Sequence, residues 1–189
     1  MSSKGKETTP KNTIAASLKN AKLVAVLAMG NELRGDDAVA LEVAKLLRKR
    51  EGSSTKKREG TVRKRGKGSP SSKVKGDIVI FEAHTVPEAF VGPVCSAAPS
   101  HVIIVDAAEL KAEPGEWRIL EKDEIDDALV STHHMPVTAM AGEMERRCGA
   151  LVIFIGIQPK SRAVGVGICS QCEKAAKEIA DIILNAIEC

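Results

Sequence analysis

Residues 29–47 read MGNELRGDDAVALEVAKLL: a glycine-framed loop, two adjacent aspartates, then an apolar helical pattern. Asp36 and Asp37 are the first residues whose type and position suggest chemistry. Further on, Glu82 and His84 follow one apolar run, Asp106 ends another, and His133 and His134 stand in a polar loop. Carboxylates with an imidazole make an open oxygen-and-nitrogen site that accepts nickel, zinc, iron or manganese and does not choose among them. So few protein ligands leave coordination positions for water or substrate. Plainer readings stand beside this one. An aspartate before a helix serves as an N-cap or dipole partner. That suits Asp36, while Asp37 is one residue more than a cap needs. Asp106 fits an Asx turn, and a lone loop histidine fits solvated surface.

Other chemistries, a nucleotide-binding α/β protein among them, are disfavoured. GNELRG is followed by no Gly-Lys-Ser/Thr, so it is not a P-loop, and it lacks the G-x-G-x-x-G of a dinucleotide site. Cys169 and Cys172 (CSQC) have metal or redox spacing at a helix start, yet no second pair accompanies them; a structural or incidental role is expected. Cys95 and Cys148 fall inside helical patterns as packing residues. No serine or cysteine nucleophile with a paired base is legible.

The elements that must hold these groups follow from periodicity. LVAVLAM (23–29) is continuously apolar, as a strand covered on both faces is. Val39, Val43, Leu46 and Leu47 then recur at helical spacing. Further strands are expected at 77–81, 101–106 and 150–157, with a Pro114-Gly115 turn and a short strand before 120. Helical segments are expected within 85–100, in the acidic stretch EKDEIDDALV, after STHHMP, and through EKAAKEIADIILNAIEC. The alternation predicts a three-layer α/β/α sandwich with a mostly parallel twisted sheet. Ligands of such sheets bind beyond the carboxyl ends of the strands, where Asp37, Glu82 and Asp106 would converge.

Composition sets the limits. The 189 residues suffice for one domain, expected over 21–189 behind a flexible segment at 1–20. Aromatics make up 2% and Tyr is absent, so Ala, Val, Ile and Leu must build the core. The net charge of +3 conceals a division. Residues 48–75 hold twelve Lys/Arg and two acids, ten positive charges, which leaves −7 on the remainder. That basic insert has almost nothing apolar to bury, so it reads as a disordered surface loop. It also lacks aromatics for base stacking, so nucleic acid is not an expected partner. Five cysteines without an apolar leader, and no apolar run of membrane-spanning length, point to a cytoplasmic protein with reduced thiols.

Four ordered motifs carry a resemblance. AMGNELRGDDAVA resembles the G-N-x-L-x-x-D-D/E-G-x-G opening of the [NiFe]-hydrogenase maturation endopeptidases. VIIVDAAELKAEPGEWRIL is similar to that family's strand-ending aspartate and Pro-Gly turn, STHHMP to its Ser/Thr-x-His segment, and VIFIGIQP to its late strand and Gly-Ile-x-Pro turn. The likeness spans about residues 22–188 apart from the insert. It departs at Ala38, where a glycine is usual, and at EAHTVPE, where D-G-G-T/S-x-P-E is usual. The resemblance implies an aspartyl-type endopeptidase that removes the C-terminal extension of a hydrogenase large-subunit precursor once nickel has been delivered. It implies that Asp37, Asp106 and His133 contact that nickel, which the substrate supplies. A monomer with the precursor as partner, and no membrane, is expected. The rival reading is a non-catalytic α/β module that escorts the precursor or its nickel.

Overall fold

The computed structural model describes residues 9–50, 77–128 and 135–188. Its frame is a five-stranded sheet: β1 (Leu23–Met29), β2 (Asp77–His84), β3 (His101–Ala107), β4 (Trp117–Leu120) and β5 (Leu151–Ile157). The spatial order is β2-β1-β3-β5-β4. Every pairing is parallel except β4 on β5, which is antiparallel.

The helices are α1 (Pro10–Leu18), α2 (Val39–Arg50), α3 (Val91–Ser96), α4 (Lys122–Ala128), α5 (Val137–Cys148) and α6 (Ser170–Glu188). They divide between the faces of the sheet. Along β1, Val24, Val26 and Ala28 pack with α1, α2 and α6, while Ala25, Leu27 and Met29 pack with α3, α4 and α5. Two apolar faces on one strand require an uninterrupted apolar sequence, which LVAVLAM supplies. The three-layer α/β/α architecture expected from the alternation is the one observed. The long helix α6 presents Cys172, Ala175, Ala176, Ile179, Ala180, Ile183 and Ile187 inward, a stripe at three- and four-residue steps. Small residues in that stripe let α1 and α2 seat against it. Phe81 meets Phe90 edge-on, ring centroids 6.2 Å apart.

One expectation is corrected. The N-terminal segment is not loose over its whole length, because Pro10–Leu18 is helical. Proline at the first turn costs no hydrogen bond there, and Ile14 and Leu18, one turn apart, are buried in the core. The basic stretch at about 48–75 starts on the helical pattern read through DAVALEVAKLLRKR. Arg48, Lys49 and Arg50 form the last turn of α2, where the helix dipole favours cations. Arg48 Nε pairs with Glu82 Oε1 at 3.1 Å, and Arg50 pairs with Asp181. The rest of the insert lies outside the described residues. Among the described residues, no helix is long and apolar enough to cross a membrane.

The connections out of β1 and β3 leave in opposite directions. β1 leads through α2 to β2 on one side, while β3 leads toward β5 and β4 on the other. The carboxyl ends of these adjacent strands therefore frame a topological switch point, the position where open α/β sheets hold ligands.

Candidate functional site

The loop after β1 is folded by its glycines. Gly30 has φ +129°, and a Cβ there would stand 1.9 Å from the Asp37 carbonyl oxygen. Gly35 has φ +54°, and its Cβ would stand 2.6 Å from the Ser161 carbonyl oxygen. Both approaches exclude any side chain. Between them, Asn31 Oδ1 accepts the Leu33 N–H at 2.9 Å, and the Asn31 N–H donates to the Asp37 carbonyl at 3.2 Å. The motif thus closes on itself and delivers Asp36 and Asp37 to the end of the sheet.

The two aspartates do different work. Asp36 is 1% exposed and is not an N-cap. Its Oδ2 accepts the N–H groups of Lys160 (2.8 Å) and Ser161 (3.0 Å), and its Oδ1 accepts that of Cys169 (2.6 Å). Burial pushes its carboxyl pKa up, but these N–H donors and the Cys169 thiol more than reverse this and hold it below 3.8. A carboxylate with backbone donors nearby is a better partner for them than for the start of α2. Asp36, Cys169 and Cys172 cluster closely enough to suggest a metal site. Asp36 is already engaged by backbone N–H groups, however, and burial foremost pushes the Cys172 thiol up. The fully buried Cys172 instead donates to the Gln158 carbonyl at 3.5 Å. The expected structural role of CSQC is the one this packing favours.

Asp37 turns to the switch point. Its Oδ1 lies 3.5 Å from Nε of Arg162, on the loop between β5 and α6. Arg162 Nη2 donates to the carbonyl of Ala107, at the end of β3, at 2.9 Å. Asp106, one residue earlier, accepts the Ala107 N–H on Oδ1 at 2.8 Å. Burial raises the Asp106 pKa to about 7, helped by the negative charge of Asp37 and opposed by the Ala107 N–H and by Arg162. Asp37, Asp106 and Arg162 therefore form one electrostatic unit at the ends of β1, β3 and β5.

Not every expected residue joins it. Glu82 is tied to Arg48 of α2, so it does not converge with Asp37 and Asp106. His84 closes β2 with φ +51°, and its carbonyl accepts the Gly30 N–H at 2.9 Å, a backbone role in shaping the loop. His133 and His134 lie outside the described residues. Two residues were not legible as part of the site. Arg162 carries no motif of its own. Gln158, 6% exposed, accepts the Leu110 N–H (2.7 Å) and the Ala112 N–H (3.4 Å) on Oε1, fixing the loop after β3. Its signal was its place directly after the β5 strand. On the two loops that carry Asp37 and Arg162, Leu33, Val164 and Val166 remain 71%, 75% and 47% exposed, with the Gly165 N–H bonded to the Leu33 carbonyl.

The sequence model of the hydrogenase maturation protease (HycI) family matches residues 69–186, more than half of the chain. A Methanocaldococcus jannaschii protein provisionally named a hydrogenase maturation protease is 31% identical over 150 residues, 79% of this chain and 80% of that one. The hydrogenase 3 maturation protease of Escherichia coli K12 is 34% identical over 86 residues, covering 45% of this chain and 54% of that protein. Among solved structures, a [NiFe] hydrogenase maturation protease from Thermococcus kodakarensis superposes with a TM-score of 0.73 at 24% identity, covering 94% of this chain and 99% of its own, a likeness of fold. The family match and the archaeal relative rest on sequence. On these grounds the chain belongs to the hydrogenase maturation protease family and is a peptidase.

Proposed function

We propose that this peptidase removes the C-terminal extension of a [NiFe]-hydrogenase large-subunit precursor after nickel insertion, with the precursor's nickel as the recognition element. The observation that carries the reading is the Asp37–Asp106 pair. Two carboxylates held near one another, with Asp106 pushed up to about 7, repel each other and are relieved by a divalent cation brought between them. Oxygen ligands of this kind accept nickel. His133 completes the proposed set with an imidazole.

The precursor's nickel supplies a Lewis-acidic centre that orients the scissile peptide and polarises its surroundings. This chain supplies the rest. Asp37 and Asp106 bind and position the nickel-bearing segment. One of the two carboxylates takes a proton from the attacking water as its oxygen adds to the peptide carbonyl. The C–N bond then breaks, and that proton leaves on the departing amine. The exposed Leu33, Val164 and Val166 give the flanking polypeptide an apolar rim against which to lie. No stored metal is called for, because the ion arrives with the client.

The test uses nickel-loaded precursor with wild type and with Asp37→Ala, Asp106→Ala and His133→Ala. Loss of the small C-terminal fragment is followed on a gel. Wild type should trim and all three variants should fail. Normal trimming by the variants would overturn the assignment.

A further inference from the structure

The Arg162 guanidinium occupies an unusual position for a site that is to receive a metal. It lies on a loop anchored at both ends by Asp36, through Lys160 N–H and Ser161 N–H on one side and Cys169 N–H on the other. Two further contacts with the β1 loop fix the same segment: Arg34 Nε donates to the Arg162 carbonyl at 3.4 Å, and Gly165 N–H donates to the Leu33 carbonyl. From this rigid base the side chain reaches the end of β3, where Nη2 bonds the Ala107 carbonyl at 2.9 Å. Its Nε stands 3.5 Å from Asp37 Oδ1 and makes no hydrogen bond. The side chains of Asp37 and Arg162 are each about a quarter exposed (24% and 25%), so this charge pair is only partly screened by solvent.

An arginine used simply to lock a carboxylate would form the bidentate fork. Here Nη2 is spent on a backbone carbonyl, while Nε faces Asp37 at ion-pair distance and makes no hydrogen bond. That arrangement neutralises charge without saturating the oxygens of the carboxylates.

We infer that Arg162 is a positioning residue that acts as a built-in counter-cation, holding the place between Asp37 and Asp106 so that free divalent ions bind poorly and only a metal presented by the client displaces it. The inference rests on the nickel-recognition reading of the same site and specifies how selectivity is imposed: by an internal cation that competes with the ion. A fixed positive charge a few ångströms from a divalent ion opposes it electrostatically, and removing that charge raises affinity roughly ten- to a hundredfold. Lysine keeps the charge and so keeps most of the exclusion.

The experiment measures binding of Ni2+ alone to the full chain by titration calorimetry. Arg162→Gln should bind Ni2+ at least about tenfold more tightly than wild type. Arg162→Lys should stay within about threefold of wild type, and adding Asp37→Asn to Arg162→Gln should abolish the gain. Equal affinity of wild type and Arg162→Gln, or no measurable Ni2+ binding by either, overturns the inference. A measurement on the wild type alone guards against a folding defect in the variants. In the wild-type chain, Zn2+ at the concentration that saturates Arg162→Gln should leave the Arg162 Nε–Hε resonance in place, and a shift there contradicts exclusion. Precursor trimming separates the two claims. If Arg162→Gln gains affinity while Asp37→Ala trims normally, the counter-cation stands and the nickel-guided reading falls. If Asp37→Ala abolishes trimming while Arg162→Gln leaves Ni2+ affinity unchanged, the reverse holds.

Discussion

Asp36 Oδ1 accepts the Cys169 N–H at 2.6 Å across 133 residues of chain, and Oδ2 of the same carboxylate holds Lys160 and Ser161. One buried side chain therefore ties the β1 loop to the β5–α6 loop, and these are the two segments that carry Asp37 and Arg162. The position of the charged unit at the switch point depends on this tie.

Replacing Asp36 with Ala should destabilise the protein by about 2–4 kcal/mol, because three N–H groups lose an ionised acceptor. Chemical denaturation measures this directly; a change within about 0.5 kcal/mol would contradict it. The pH dependence has a definite sign. The folded pKa of Asp36 is below its ordinary 3.8, so its stabilisation is complete above 3.8 and is lost as pH falls through the lower folded value.

Asp106 has the opposite sign. Its folded pKa of about 7 lies above the ordinary 3.8, so the folded state binds the extra proton between those values. Stability at this site is highest below 3.8 and declines as pH rises towards and through 7. Asp106→Asn should therefore raise stability by about 1–3 kcal/mol at pH 8 and by much less at pH 4, partial solvent contact reducing the full linkage value. Thermal unfolding at the two pH values tests this, and an equal change at both would rule it out.

Gly30→Ala should lower stability and trimming together. Its Cβ would stand 1.9 Å from the Asp37 carbonyl oxygen at a φ of +129°, so the loop must open and carry Asp37 with it. A loss of about 2 kcal/mol or more, with activity falling at least tenfold at temperatures where the variant is folded, is expected. Full activity in a folded variant would show that Asp37 does not depend on this turn.

The apolar rim should govern substrate affinity. Leu33→Ser with Val164→Ser removes two apolar side chains that are 71% and 75% exposed, so folding should be little changed. The precursor's KM should rise about threefold or more with kcat preserved. An unchanged KM would separate the rim from the client.

Much of the fold was legible because β1, β3 and β5 are covered on both faces and so carry unbroken apolar sequence. The ends of these strands followed, and with them the neighbouring positions of Asp37 and Asp106. Helix α1 was not legible, since only Ile14 and Leu18 of its nine residues are buried and the rest of the segment is polar. The role of Asp36 escaped because its partners lie more than 120 residues away, and local rules offer such an aspartate a cap. Glu82 was misdirected for a similar reason: a strand-end carboxylate looks available until the fold brings Arg48 beside it. Arg162 in a serine- and glycine-rich loop has the appearance of a solvated cation, and its contacts with Asp37 and Ala107 arise only once the sheet is assembled.

The central claim is that nickel in the precursor licenses the cut through Asp37 and Asp106. The most direct measurement is mass spectrometry of the large-subunit precursor, nickel-loaded and nickel-free, after incubation with the wild-type chain and with Asp37→Ala. The account predicts loss of the C-terminal extension only from the loaded precursor and only with wild type. Equal trimming of the nickel-free precursor, or undiminished trimming by Asp37→Ala, would contradict it.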